Sequence, residues 1–229
     1  MKKLTVSVTR TERILGFIYI AVQLLIMPTA LLLINRLLGS PFSAVQVQFA
    51  LFCADFICVT VIFHRFLIGS AKRSFSEPFR TLRFAGIGLL LYWVGSFAVN
   101  YFILTVYPDF SNVNDASINE LTQDNYTLMA LSTVLLVPVT EETLYRGLVF
   151  GTLYKRSPVA AYAVSTLTFA ALHVVGYIGL YEPVLLLLCF LQYIPAGLCL
   201  AWAYTQADSI WASILIHIAV NQMGVVAMR

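Results

Sequence analysis

Hydrophobic runs that carry few acidic or basic residues dominate the 229-residue chain, and short polar segments separate them. They lie at about 14–35, 44–64, 84–107, 128–150, 160–181, 184–204 and 210–228, and each is close to the roughly 20 residues that a helix needs to cross about 30 Å of hydrocarbon. The pattern predicts an all-α polytopic membrane protein with seven transmembrane helices, or eight if one of the longer runs is broken. No internal repeat, low-complexity tract or long linker divides the chain, so residues 1–229 read as a single integral membrane domain.

Composition agrees with the pattern. Hydrophobic residues make up 60% of the chain and charged residues 11%, against roughly 45–50% and about 25% in soluble domains. Mean hydropathy is +0.85. The first run follows a basic head, MKKLTVSVTRTER, as a secretory signal would, but it exceeds the roughly 7 to 15 residues of a signal core and lacks a small-x-small cleavage site. It is expected to remain as a signal anchor.

Charge adds an orientation. Lys2, Lys3, Arg10 and Arg13 mark the head; Arg65, Lys72, Arg73, Arg80 and Arg83 mark the second connection; Lys155 and Arg156 mark the fourth. Alternate connections are basic, which places them and the N-terminus in the cytoplasm of a cell-membrane protein. Seven spans would put the C-terminus outside, and eight would not. The opposite connection, PDFSNVNDASINELTQDNYT, is polar and acidic, as an outer loop can be. The net charge of +3 follows from this bias and calls for membrane lipid as a neighbour, not nucleic acid. The basic stretch GSAKRSFSEPFRTLRF reads as a cytoplasmic loop in preference to a segment lying along the membrane surface. Cys53, Cys58, Cys189 and Cys199 all fall in apolar runs and read as packing residues, with no disulfide inferred. The sequon at Asn125 sits too close to the span boundary to carry weight.

Against this background a few polar residues need a reason. An ionisable group at bilayer depth costs at least about 2.5 to 3.5 kcal/mol, so it faces protein or a wet cavity and has a partner. Asp55 stands alone in the second run and reads mainly as a buried hydrogen-bonding residue. The stretch VPVTEETLYRGLVF places Glu141, Glu142 and Arg146 in the fourth run. Glu142 and Arg146 are four apart and share a helix face, with the acid on the N-terminal side. Glu141 points about 100° away from Glu142 and has uncharged Tyr145 at i+4, so it is left without a partner in its own helix. Pro138 removes a backbone donor three residues earlier and should bend or loosen the helix there. Farther on, Phe169 and His173 share a face, as do His217 and Asn221. With about 1.5 Å of rise per residue, Glu141, His173 and His217 fall within one layer about 8 Å deep, so a single polar mid-membrane cavity is feasible. Gln192, Pro195 and Gly197 mark a break or a close helix contact that could line it.

A carboxylate in apolar surroundings can serve as general base for water, and histidine with an asparagine amide can donate to a developing oxyanion. That set predicts amide hydrolysis without a serine or cysteine nucleophile. Glu141, His173 and His217 are also an alternative zinc ligand set, although their spacing is not that of an HExxH helix. A proton-coupled transporter, or a membrane immunity or scaffold protein that binds without turnover, are the rival readings.

The segments EETLYR (Glu141 to Arg146), FAALH (Phe169 to His173) and HIAVN (His217 to Asn221) resemble the EExxxR, FxxxH and HxxxN motifs of the CPBP intramembrane proteases. That family includes the CAAX prenyl endopeptidases and bacterial bacteriocin-processing or self-immunity proteins. The resemblance covers residues 127–223, which would be the catalytic core. It implies an intramembrane endopeptidase in which Glu141 activates water, His173 assists it, and His217 with Asn221 forms the oxyanion site. Glu142, Arg146 and Phe169 would support them. The family is described with both metal-dependent and metal-free mechanisms, so zinc stays open. The implied substrate is a membrane-associated peptide or protein, with a lipidated C-terminus among the options.

Overall fold

A computed structural model describes residues 4–228, and every regular element among them is helical. Helix α1 is Arg10–Leu25, α2 Met27–Leu37, α3 Ala44–Ile62, α4 His64–Ser76, α5 Pro78–Val106 and α6 Val113–Asp124. They are followed by α7, Tyr126–Tyr154; α8, Pro158–Leu172, with a short turn after it; α9, Pro183–Ala207; and α10, Ile210–Ala227. Six of these rods are long and apolar enough to cross a membrane, and the bent pair α1–α2 makes a seventh if its two halves form one span. Chain breaks at Ile26 and Tyr193 bend or interrupt a helix without adding a crossing, so the eighth expected span does not occur among the described residues. Lys2 and Lys3, used above for orientation, lie outside them, as does Arg229.

Local chemistry accounts for the punctuation. Thr9 caps α1: its hydroxyl accepts from the Glu12 N–H, and the Glu12 carboxylate accepts from the Thr9 N–H at 2.7 Å. The other Glu12 oxygen accepts from the Phe66 N–H at 2.8 Å, in the first turn of α4, and so ties the two helix starts together. The 48° bend between α1 and α2 comes at Ile26, where Pro28 can neither donate nor fit against the preceding turn. Asp55 accepts from Tyr19 Oη at 2.6 Å and Gln23 Nε2 at 3.3 Å, joining α3 to α1.

Two connections differ from expectation. The basic stretch after α3 is helical, with Phe66, Leu67 and Ser70 of α4 turned inward. Arg73 and Arg80 both pair with Glu77 at the α4–α5 junction, at 2.6 and 2.9 Å, which gives the basic segment its own counter-charge within a helical turn. The acidic segment after α5 contains α6, capped by Asn112 Oδ1, which accepts from the N–H groups of Asn114 and Asp115.

The last four helices form the centre of the bundle. Gly197 of α9 lies so close to α8 that a Cβ there would meet Thr166 Cγ2 at 2.6 Å, and one on Gly88 of α5 would meet Ile216 at 2.6 Å. Small residues at such crossings let helices pack where lipid provides no hydrophobic drive between them. The α9–α10 turn is held from below: Asp208, with a left-handed φ of 57°, accepts from Thr5 and from Arg73 Nε at 3.0 Å, and Ser70 bonds Ser209 and the Ile210 N–H. This anchorage sets the position of α10.

Candidate active site

Helix α7 loosens on both sides of Pro138. Residues Ser132–Leu136 and Thr143–Phe150 take the wider π-helical turn, in which the Val137 N–H reaches Ser132 O and the Gly151 N–H reaches Arg146 O. In that register the next donor, at position 138, would pair with Thr133 O, but proline has none. Asn221 Nδ2 of α10 takes the place, donating to Thr133 O at 2.8 Å. The predicted helix defect and the asparagine of the third motif are therefore two halves of one contact, and the second amide proton of Asn221 is left over.

Glu142 and Arg146 form the expected ion pair at 3.1 Å, both fully buried. Arg146 has further support: Nη2 lies 3.5 Å from Gly197 O, and the guanidinium stacks 4.2 Å from the Phe169 ring centre. Glu142 does more than hold Arg146. Its Oε1 lies 3.0 Å from His217 Nδ1 and can only accept there, which assigns the imidazole proton to Nδ1 and turns Nε2 the other way. Spacing along α7 showed only the partner within the helix; the contact to α10 needed the folded bundle.

Glu141 is placed differently. Its Oε2 is buried, accepts no hydrogen bond among the described residues, and lies 3.9 Å from His217 Nε2, too far for a direct bond. Phe169 sits edge-on to His217 at 6.0 Å and against His173 at 4.7 Å between ring centres, so one buried ring sets the relation of both histidines and the arginine. His173 caps the end of α8, its Nδ1 donating to Phe169 O at 2.8 Å, and its ring stacks on Tyr193 at 4.1 Å.

Glu141, His173, His217 and Asn221 all line one cavity of about 870 Å³. Its wall includes Tyr92, Gln192 and Tyr193, and α6 contributes Asn114 and Asp115. Sequence reasoning missed that contribution, because a polar stretch between spans looks the same whether it faces water or folds over a cavity. Asp115 is open to the cavity and bonded to Tyr193 Oη at 3.2 Å, while crowding by the surrounding helices pushes its carboxyl above the usual range. A zinc site needs ligand atoms converging at about 2.0 to 2.3 Å on one point. No group of three His, Cys, Asp or Glu side chains that could hold a metal ion occurs among the described residues.

Comparison with known proteins adds one finding. No curated protein and no solved structure matches the chain. Residues 123–223, somewhat under half of its length, match the family model described as type II CAAX prenyl endopeptidase Rce1-like. The matched region runs from the end of α6 through α10 and contains every motif residue of the cavity. It is through this region that the chain is similar to the CPBP intramembrane proteases.

Proposed function

We propose that the protein is a multi-pass endopeptidase of the cell membrane, N-terminus in the cytoplasm, that cleaves a peptide bond of a membrane-associated, prenylated or otherwise lipidated protein with water activated by Glu141. Residues 127–223 form its catalytic core, and α3, α5 and α6 complete the cavity. The observation that carries this reading is the division of labour between adjacent acids. Glu142 gives Oε1 to both Arg146 and His217 and lies off the cavity wall, its Oε2 buried without a partner among the described residues. Glu141, by contrast, lines the cavity and presents an unpaired carboxylate oxygen 3.9 Å from His217 Nε2.

Glu141 takes a proton from water, and the resulting hydroxide attacks the scissile carbonyl carbon. His173, its Nδ1–H held by Phe169 O, keeps Nε2 free to accept a hydrogen bond from the remaining O–H and orient the attack. With Nδ1–H held by Glu142, His217 donates from Nε2 when the ring carries its second proton. That N–H and the second amide proton of Asn221 then hydrogen-bond the oxyanion. Collapse of the tetrahedral intermediate passes the proton from Glu141 to the leaving nitrogen, breaks the C–N bond and releases an acid and an amine.

The test is a comparison of membrane peptides from cells that carry the wild type or Glu141→Gln. Wild-type cells should accumulate cleaved products whose uncleaved precursors persist with the variant. Identical peptide profiles, with both proteins folded and inserted, would sink the assignment and favour binding without turnover.

A further inference from the structure

A second, smaller cavity of about 390 Å³ lies away from the motif residues, between the start of α1 and the end of α7. Arg13, Ile14 and Phe17 line it from α1, and Thr152, Lys155 and Arg156 line it from the end of α7 and the turn beyond. Three of these six residues are cationic and none is acidic. The side chains of Arg13 and Arg156 make no hydrogen bond or ion pair among the described residues. Lys155 Nζ donates to Ser7 Oγ at 3.2 Å, which leaves two of its protons free. Glu12, beside Arg13, makes no ion pair with the three cations: it is buried and both of its oxygens accept backbone N–H groups. Thr152 Oγ1 is buried at the cavity without a partner.

Two segments about 140 positions apart thus converge to hold three cations together without an ion-pair partner among the described residues. An anion at this point would satisfy them and could accept from the threonine hydroxyl. The apolar side of the groove decides what carries the anion: Ile14 and Phe17 are 51% and 46% exposed beside the cations, and a free phosphate would gain nothing from them. Charged heads next to open hydrocarbon match a molecule that is anionic at one end and aliphatic at the other. We propose that this groove binds one anionic phospholipid, its phosphate held by Arg13, Lys155 and Arg156 and its first acyl methylenes lying on Ile14 and Phe17. The lipid bridges the bent first span to α7, the helix that carries both glutamates. By the charge bias of the chain it belongs to the cytoplasmic leaflet.

Native mass spectrometry of the full chain in neutral detergent tests this, with phosphatidylglycerol, phosphatidylcholine and inorganic phosphate as probes. One phosphatidylglycerol should be retained in preference to phosphatidylcholine. At about fivefold per cation, Arg156→Gln should weaken retention about fivefold, and Arg13→Gln with Lys155→Gln and Arg156→Gln about one hundredfold. The triple variant Arg65→Gln, Lys72→Gln and Arg83→Gln, on exposed residues of the other basic segment, should leave retention within about twofold. The single variant decides the matter if the groove triple fails to insert. Equal retention of phosphatidylcholine, unchanged retention by Arg156→Gln, or an equal loss in the second triple would overturn the groove as a lipid site. Displacement of the lipid by inorganic phosphate at matched concentration would make it a site for free anions instead. None of these outcomes depends on whether the protein cleaves peptides.

Discussion

Helices from the two halves of the chain solve opposite problems. The most apolar windows of α3 and α5 are only 17% and 11% buried inside the protein, whereas those of α7 to α10, counting α8 with its following turn, are 33 to 44% buried. The most buried of them, α7, is also the least apolar of the six. In water that ordering would be perverse. In lipid, apolar side chains gain nothing by leaving the hydrocarbon, so the outer helices stay greasy and the polar groups gather where other helices can satisfy them. The same contrast separates two buried acids. Asp55, on an outer helix, is closed off by Tyr19 and Gln23 and stays out of the cavity wall, while Glu141 keeps a free oxygen beside it.

Substitutions can break this contrast. Glu142→Gln should have the largest effect, because it leaves Arg146 buried without its counter-charge and releases His217. A loss of about 3 to 5 kcal/mol is expected, seen as a lower melting temperature in detergent and a reduced folded yield. Val94→Ala, on a side chain 62% exposed on α5 and off the cavity wall, should shift stability by less than about 0.5 kcal/mol in the same assay. Equal effects at the two positions would mean that the inner helices are no more tightly determined than the outer ones.

Glu141→Gln should lower turnover about 10²- to 10⁴-fold while leaving the melting temperature near that of the wild type. A matching fall in stability would place Glu141 with Glu142 as a structural acid. Next in size, Gly197→Ala should destabilise by about 1 to 3 kcal/mol, since its Cβ would press on Thr166 Cγ2 at 2.6 Å and on Thr166 Cα at 3.0 Å. Unchanged thermal unfolding of this variant would mean that α8 and α9 can separate freely.

Asp115→Asn should have the smallest effect, and its sign depends on pH. Crowding raises the carboxyl, against weaker lowering by Tyr193 and His173, so its charged form is disfavoured in the fold. Asp115 therefore subtracts stability above its raised folded pKa, and that stability returns as the pH falls through this value towards the usual carboxylate range. The asparagine variant should melt slightly higher than the wild type near neutral pH, with the difference vanishing in acid. A lower melting point at neutral pH would show instead that the charge is favoured there, through the hydrogen bond from Tyr193.

Much of the fold was legible along the chain because a bilayer imposes a length on every crossing. Seven runs near 20 residues became six rods and one bent pair, with ends that moved by only a few positions. Other features were hidden for identifiable reasons. The basic stretch after α3 looked like a loop because its charges were counted, but their pairing across Glu77 was not. Helix α6 looked like an outer loop because polarity does not distinguish bulk water from a cavity.

By itself the sequence determined that the chain spans a membrane, that Glu142 pairs with Arg146 one turn away, and that Glu141 is left over. These conclusions rest on distances within one helix, where spacing is geometry. Only the tertiary structure decided that Glu142 also holds His217, that Asn221 answers the carbonyl freed by Pro138, and that Phe169 lies under Arg146 and both histidines. Those contacts join helices far apart in sequence, and their geometry depends on how the helices cross. That crossing is set by small residues such as Gly88 and Gly197 and by the anchored turn at Asp208 and Ser209, whose effect cannot be read from any single helix.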